Sequence, residues 1–216
     1  MPLSERLKSH SRRALLLCGL AAGLALTGVS AAHAAPQIGQ PAPDFSVVDT
    51  AGKTQTLSAL RGKVVVLEWT NHDCPYVRKH YGAQNMQQLQ QEAKADNVVW
   101  LTVISSAPGE QGHVSPAEAN TLTRERKAQP AAVVMDPEGK MGRAYGAQTT
   151  PHMYVIGADG TLLYMGGIDS IASTRTQDIE KAKPYFRDAM RAAVAGQSVP
   201  VAVTRPYGCS VKYVGS

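Results

Sequence analysis

Cysteine is scarce in this chain. Its 216 residues hold three: Cys18, Cys74 and Cys209. So few exclude a disulfide-stapled scaffold, which needs several pairs. No second cysteine lies near Cys74, and the fourth position counted from it is Val77. Long apolar runs are missing as well. The stretch 14–29 has sixteen residues, short for a membrane span, and lacks a stop-transfer flank. No basic stripe or arginine-rich arm points to nucleic acid. There is no internal repeat and no low-complexity block.

What is present begins with an address. Arg6, Lys8, Arg12 and Arg13 form a positive region, residues 14–29 an apolar one, and Ala32-His33-Ala34 an A-x-A cleavage signal. Residues 1–34 therefore read as a signal peptide cut after Ala34, which makes the mature protein periplasmic or secreted. The run Ser11-Arg12-Arg13-Ala14-Leu15-Leu16 also loosely resembles a twin-arginine signal, beside the ordinary Sec reading. Cys18 leaves with this segment, and Leu15-Leu16-Leu17 lacks the small residue of a lipoprotein signal. The remaining 182 residues carry 18 Lys and Arg against 16 Asp and Glu, because four of the 22 and one of the 17 lie in the address. The net charge is then +2, and the basic balance of the whole chain says little about partners. The length suits one domain, residues 35–195, followed by a tail, 196–216, that carries Cys209.

Residues 45–48 read as a short strand, 51–53 as its turn and 57–61 as one helical turn closed by Gly62. Residues 64–69 are apolar apart from Glu68 and rich in β-branched side chains, as a buried central strand requires. Some twenty residues of helical pattern follow, with Val77, Tyr81, Met86, Leu89 and Ala93 on one side. Residues 98–104 and 131–135 are further strands. Between them Ser115-Pro116-x-Glu118 opens a helix that runs to about residue 128. A short helix at 140–145 ends at Gly146. Thr150-Pro151 precedes a strand at 153–156. Asp159-Gly160 then turns the chain into a returning strand at 161–165. The last helix is expected over 177–195, with Pro184 kinking or restarting it. The order implies an α/β fold: a mixed central sheet with helices on both faces.

Cys74 lies between the end of a strand and the start of a helix, with Pro75 at the first helical position. Backbone N–H groups and the helix dipole favour a thiolate there, and the thiolate is the nucleophile of sulfur chemistry. Asp73 precedes it; as an N-cap partner it would turn its oxygen onto the first helical turn. Glu68 admits two readings, a buried proton acceptor or the strand's one solvent-reaching residue. Trp69 and Tyr76 read as packing.

Four elements together resemble the thioredoxin-like superfamily, in its redoxin or peroxiredoxin-like (AhpC/TSA-type) branch. They are the strand 64–69 before Cys74-Pro75, Asp136-Pro137-Glu138-Gly139 with Tyr145-Gly146, Thr150-Pro151 before a strand, and Asp159-Gly160 through Gly166-Gly167-Ile168. Asn71-His72-Asp73-Cys74-Pro75-Tyr76-Val77 further resembles the NHCPYV signature of a peroxiredoxin-like subgroup, with Asp73 inserted. The resemblance implies a cis bond before Pro151 and a Thr150 backbone that pairs with extended chains beside the thiol. It places His72 and His152 near the site, where one could stabilise the thiolate. Two departures stand out. The second thiol of Cys-x-x-Cys is absent. Leu67 and Asn71 also stand where a peroxiredoxin carries its proline and hydroxyl.

Cys209, in Pro206-Tyr207-Gly208-Cys209, is then the candidate resolving thiol. Some thirteen residues separate it from the expected last helix, enough to span roughly 40 Å. The leading expectation is an exported thiol–disulfide oxidoreductase acting on protein or small-molecule thiols and disulfides. Cys74 is its nucleophile, Cys209 its resolving partner, Thr150 and Pro151 complete the site, and no cofactor or metal is required. The alternatives are a thiol peroxidase and a non-catalytic copper-binding protein.

Overall fold

The computed structural model describes residues 35–215. The expected signal peptide and its cut lie outside the described residues. The chain forms β1 (Ser46–Asp49), β2 (Thr54–Thr56), β3 (Val65–Trp69), α1 (Pro75–Gly82), α2 (Asn85–Ala95) and β4 (Val99–Ile104). It continues with α3 (Pro116–Glu125), β5 (Ala132–Met135), α4 (Lys140–Ala144), β6 (Thr149–Thr150), β7 (His152–Ile156), β8 (Leu162–Gly166), α5 (Tyr185–Val194) and β9 (Cys209–Ser210).

Seven strands make one sheet in the order β2-β1-β5-β4-β3-β7-β8. β3 runs parallel to β4 and antiparallel to β7, so Leu67 faces Leu101 on one side and Tyr154 on the other. All five β3 residues are buried, as its apolar, β-branched run demands. The mixed sheet expected from the sequence is therefore present, and the fold is thioredoxin-like.

Alternation along the strands builds two cores. Val65, Leu67 and Trp69 join Leu101, Val103, Tyr154 and Ile156 on the face covered by Phe45, Leu57 and α4. Val66 joins Trp100, Met153, Val155 and Tyr164 on the face covered by α1, α2 and α5. α3 packs on Ile104 and Val133. Each such side chain contributes on the order of 1.5–3 kcal/mol when fully buried. Trp69 packs against Tyr145 and Tyr154, and its Nε1 donates to Ser105 Oγ at 3.0 Å.

Glu68 points into the second core and is fully buried. Its carboxyl accepts hydrogen bonds from Tyr81 Oη (2.9 Å), Trp100 Nε1 (2.9 Å), Thr102 Oγ1 (3.1 Å) and Gln90 Nε2 (3.4 Å). Burial pushes its pKa up, against the pull of Trp100, Tyr81 and Arg126. Of the two sequence readings, the buried acceptor is the one realised. The carboxyl ties α1 and α2 to the sheet.

Several boundaries differ from expectation. The long helix after Cys74 is two helices, because Gln84 adopts a left-handed conformation at φ 60°. The last helix starts at Tyr185, with Pro184 at its N-cap and only a 3-10 turn over Thr176–Asp178 before it. Pro184 has no N–H to continue a helix and disfavours helical geometry in the residue before it. Residues 58–60 form a 3-10 turn. β2, β6 and β9 were not anticipated. Among the described residues no helix is long and apolar enough to cross a membrane.

Candidate active site

β3 ends at Trp69, and a tight turn delivers Cys74 as the N-cap of α1, with Pro75 at the first helical position. Asn71 shapes that turn: its Oδ1 accepts from Asp73 N at 2.9 Å, and Cys74 N donates to Asn71 O at 3.1 Å. Asp73 does not cap the helix. No side-chain cap bond is present, and its carboxylate instead meets Arg78 at 2.8 Å and His72 at 3.4 Å. The Arg78 guanidinium and the His72 ring on the solvent side hold the carboxylate away from the first helical turn.

Thr150-Pro151 is a cis peptide, as the resemblance implies. It brings the Thr150 carbonyl to Cys74, whose thiol donates to that oxygen at 3.0 Å. β6 then pairs antiparallel with β9 from the tail, with Thr150 opposite Cys209. As a result Cys209 N donates to Cys74 Sγ at 3.4 Å. All four site residues expected from the sequence, Cys74, Cys209, Thr150 and Pro151, thus converge. Both cysteines are free thiols; Cys74 is buried and Cys209 half-buried.

The two thiols differ in acidity. Burial opposes charge on Cys74. Hydrogen bonds from the Cys209 thiol and from the N–H groups of Val77 and Cys209 outweigh it and lower the pKa. The Val77 contribution is the helix N-terminus acting on sulfur. Cys209 moves the opposite way, pushed up to about 12 by burial, by donating to Cys74 and by the Cys74 charge. Cys74 is therefore the more acidic thiol of the pair and Cys209 the one that holds its proton more tightly.

Neither histidine acts on the sulfur through charge. His72 pairs with Asp73. His152 is buried in β7, and its Nδ1 meets Tyr154 Oη at 3.2 Å and Gln148 N at 3.3 Å. Burial lowers its pKa to about 3, so the ring is neutral near pH 7. Among the described residues no three His, Cys, Asp or Glu side chains gather to hold a metal.

Residues missed by sequence reasoning lie in the tail. Gly208 has φ 145°, and a Cβ there would overlap the Thr150 carbonyl oxygen. Tyr207 packs edge-on to Tyr76 at 5.7 Å and donates to Asp169 Oδ1 at 2.5 Å. The Tyr-Gly-Cys run next to a tail cysteine was the available signal. Beyond it, Val211 N donates to Gln148 O at 3.0 Å and Tyr213 Oη to Ala147 O at 2.7 Å. The tail is a strap fastened on both sides of Cys209.

The sequence matches the AhpC/TSA family over residues 38–165. No curated protein matches it. An uncharacterized conserved protein from Geobacillus kaustophilus is 21% identical with a TM-score of 0.70, covering 83% of this chain and 94% of that one. A hypothetical protein from Sinorhizobium meliloti 1021 is 18% identical with a TM-score of 0.67, covering 85% and 98%. A candidate thiol:disulfide interchange protein DsbE from Chlorobium tepidum is 26% identical with a TM-score of 0.50, covering 61% and 85%.

Proposed function

The chain belongs to the AhpC/TSA family, and on that premise we propose that it is an exported thiol–disulfide oxidoreductase with Cys74 as nucleophile and Cys209 as resolving thiol. One observation carries the reading: the β6–β9 pairing seats the Cys209 backbone N–H 3.4 Å from Cys74 Sγ. Export rests on the sequence of residues 1–34, and the redoxin domain on residues 35–195.

In the first step the Cys74 thiolate attacks a substrate disulfide. The substrate S–S bond breaks and one thiolate leaves. The new Cys74 mixed disulfide carries no charge, so the Cys74 charge and acceptor that hold the proton on Cys209 are gone. Cys209 loses its proton, attacks Cys74 Sγ and expels the second substrate thiolate. The substrate gains two electrons and the protein forms a Cys74–Cys209 disulfide. The site supplies proximity: a partner held in reacting geometry replaces a bimolecular encounter.

A peroxidase would follow the same course, with a sulfenic acid on Cys74 in place of the mixed disulfide. Burial of Cys74 beneath the strap favours small oxidants and keeps that reading open. Leu67 and Asn71, in place of the peroxiredoxin proline and hydroxyl, weigh against it.

Trapping tests the proposal. Cys209→Ser treated with a disulfide substrate should accumulate an adduct on Cys74 that the wild type clears. Absence of any adduct under oxidising conditions would reject the resolving step. Stopped-flow oxidation by hydrogen peroxide separates the two readings, since a rate no better than a free thiol removes the peroxidase.

A further inference from the structure

Below the strap lies a buried polar cluster that touches neither sulfur. Asp169 follows β8 and is 6% exposed. Its Oδ1 accepts from Tyr207 Oη at 2.5 Å and from Ile171 N at 2.9 Å. Its Oδ2 is buried and, among the described residues, accepts no hydrogen bond. Lys79 Nζ and His80 Nε2 each stand 3.8 Å from that oxygen, and both side chains are fully buried. Lys79 Nζ also donates to Ile171 O at 3.3 Å and lies over the Tyr207 ring at 5.7 Å.

The hydrogen bonds have a direction. Asn85 Nδ2 donates to His80 Nδ1 at 2.9 Å, which leaves the Nε2 proton facing Tyr207 Oη at 3.3 Å. Tyr207 in turn donates to Asp169. Burial and the Lys79 charge lower the His80 pKa to about 3, so the ring stays neutral and this order is kept. A buried carboxylate facing an ammonium is costly to maintain for stability alone. Here it faces a single tail residue, Tyr207, two positions before Cys209.

Lys79 and His80 sit on α1, the helix whose N-cap is Cys74. The cluster therefore joins the nucleophile's helix to the tail. Gly208 links the Tyr207 anchor to Cys209, and it passes Thr150 so closely that a Cβ there would overlap Thr150 O. We propose that Asp169, Lys79 and His80 form a dock for the Tyr207 hydroxyl that positions Cys209 for attack on Cys74. All four are positioning residues, and the assignment deepens the proposed function on which it rests.

The test uses the full chain carrying Cys18→Ser (called wild type below), reduced, with 5,5′-dithiobis(2-nitrobenzoate) as the disulfide. Cys74 attacks the reagent and releases one coloured thiolate; Cys209 then closes on Cys74 and releases a second. The wild type should release two equivalents in quick succession. In Tyr207→Phe, which keeps the ring and removes the hydroxyl, the first release should be as fast or faster, since the strap over Cys74 is looser. The second should slow by at least about tenfold, because reacting groups misplaced by an ångström lose up to about 100-fold. Asp169→Asn should act in the same direction, and Tyr76→Phe should change neither phase. A merely structural effect would lower the melting temperature and move both phases together. A second release at the wild-type rate in Tyr207→Phe overturns the dock and leaves Cys209 as resolving thiol. A wild type that stops at one equivalent, with Cys209 unreacted, overturns both.

Discussion

Gly208 lies so close to Thr150 that any side chain at 208 would strike the Thr150 carbonyl oxygen. The same residue carries a φ of 145°, which L side chains rarely adopt. Gly208→Ala should therefore lift β9 from β6. Closure of the Cys74–Cys209 disulfide should slow by about tenfold or more, while alkylation of Cys74 by iodoacetamide speeds up. Rapid-quench alkylation followed by mass spectrometry reads both, and unchanged rates would show that the strap does not depend on this contact.

Cys74 should titrate below the free-thiol value of about 8.5, because hydrogen bonds from Cys209 and Val77 outweigh burial. The pH dependence of alkylation in Cys209→Ser, where a hydroxyl can take over the thiol's donor role and the Val77 and residue-209 N–H groups remain, measures it. Asp73→Asn should leave the value essentially unchanged, since a carboxylate at the surface already paired with Arg78 projects little field. A large drop in this variant would mean that Asp73 faces the sulfur.

The resolving step should have its own pH profile. Cys209 is pushed up to about 12 while Cys74 is a thiolate, in part by that charge and by donating to it. Once Cys74 is in a mixed disulfide, both of those causes vanish; burial, which raises the value, and the Lys212 charge, which lowers it, remain. The rate of mixed-disulfide decay should rise with pH and level off between about 8.5 and 12. Stopped-flow decay of the pre-formed adduct across this range gives the curve. A plateau already reached below the free-thiol value would contradict the assignment.

Two buried histidines make the fold sensitive to acid. His80 and His152 are each lowered to about 3 in the folded chain, mainly by burial. The unfolded chain binds their protons near pH 6.5, so it takes up more protons than the folded chain in the window between. The stability they support is complete above about pH 6.5 and is lost as pH falls toward 3, at up to about 1.4 kcal/mol per pH unit for each ring. Urea unfolding at pH 7, 5.5 and 4.5 should show this slope, and His152→Asn should remove roughly half of it. A slope unchanged by that substitution would place the linkage elsewhere.

The parts of the fold that follow from local pattern were legible in the sequence. The run 64–69, the capping box at Ser115 and the Asp159-Gly160 turn each encode their element within a few residues. The Cys74-Pro75 turn and the Thr150-Pro151 bond were legible as a motif. What was not legible depends on contacts between distant segments. β6 and β9 are two residues each and exist only because 149–150 meets 209–210. The Asp169 dock draws on residues 79, 80, 169 and 207, which no spacing rule connects. Asp73 was misread because the N-cap preference took no account of Arg78 and His72 nearby.

The most direct measurement of the central claim is a disulfide map of the full chain carrying Cys18→Ser after exposure to excess oxidised glutathione. Peptide mass spectrometry of the unreduced digest should find Cys74 joined to Cys209 within one chain, with no glutathione retained. Glutathione left on Cys74 beside a free Cys209, or Cys209 bridging two chains, would contradict the account.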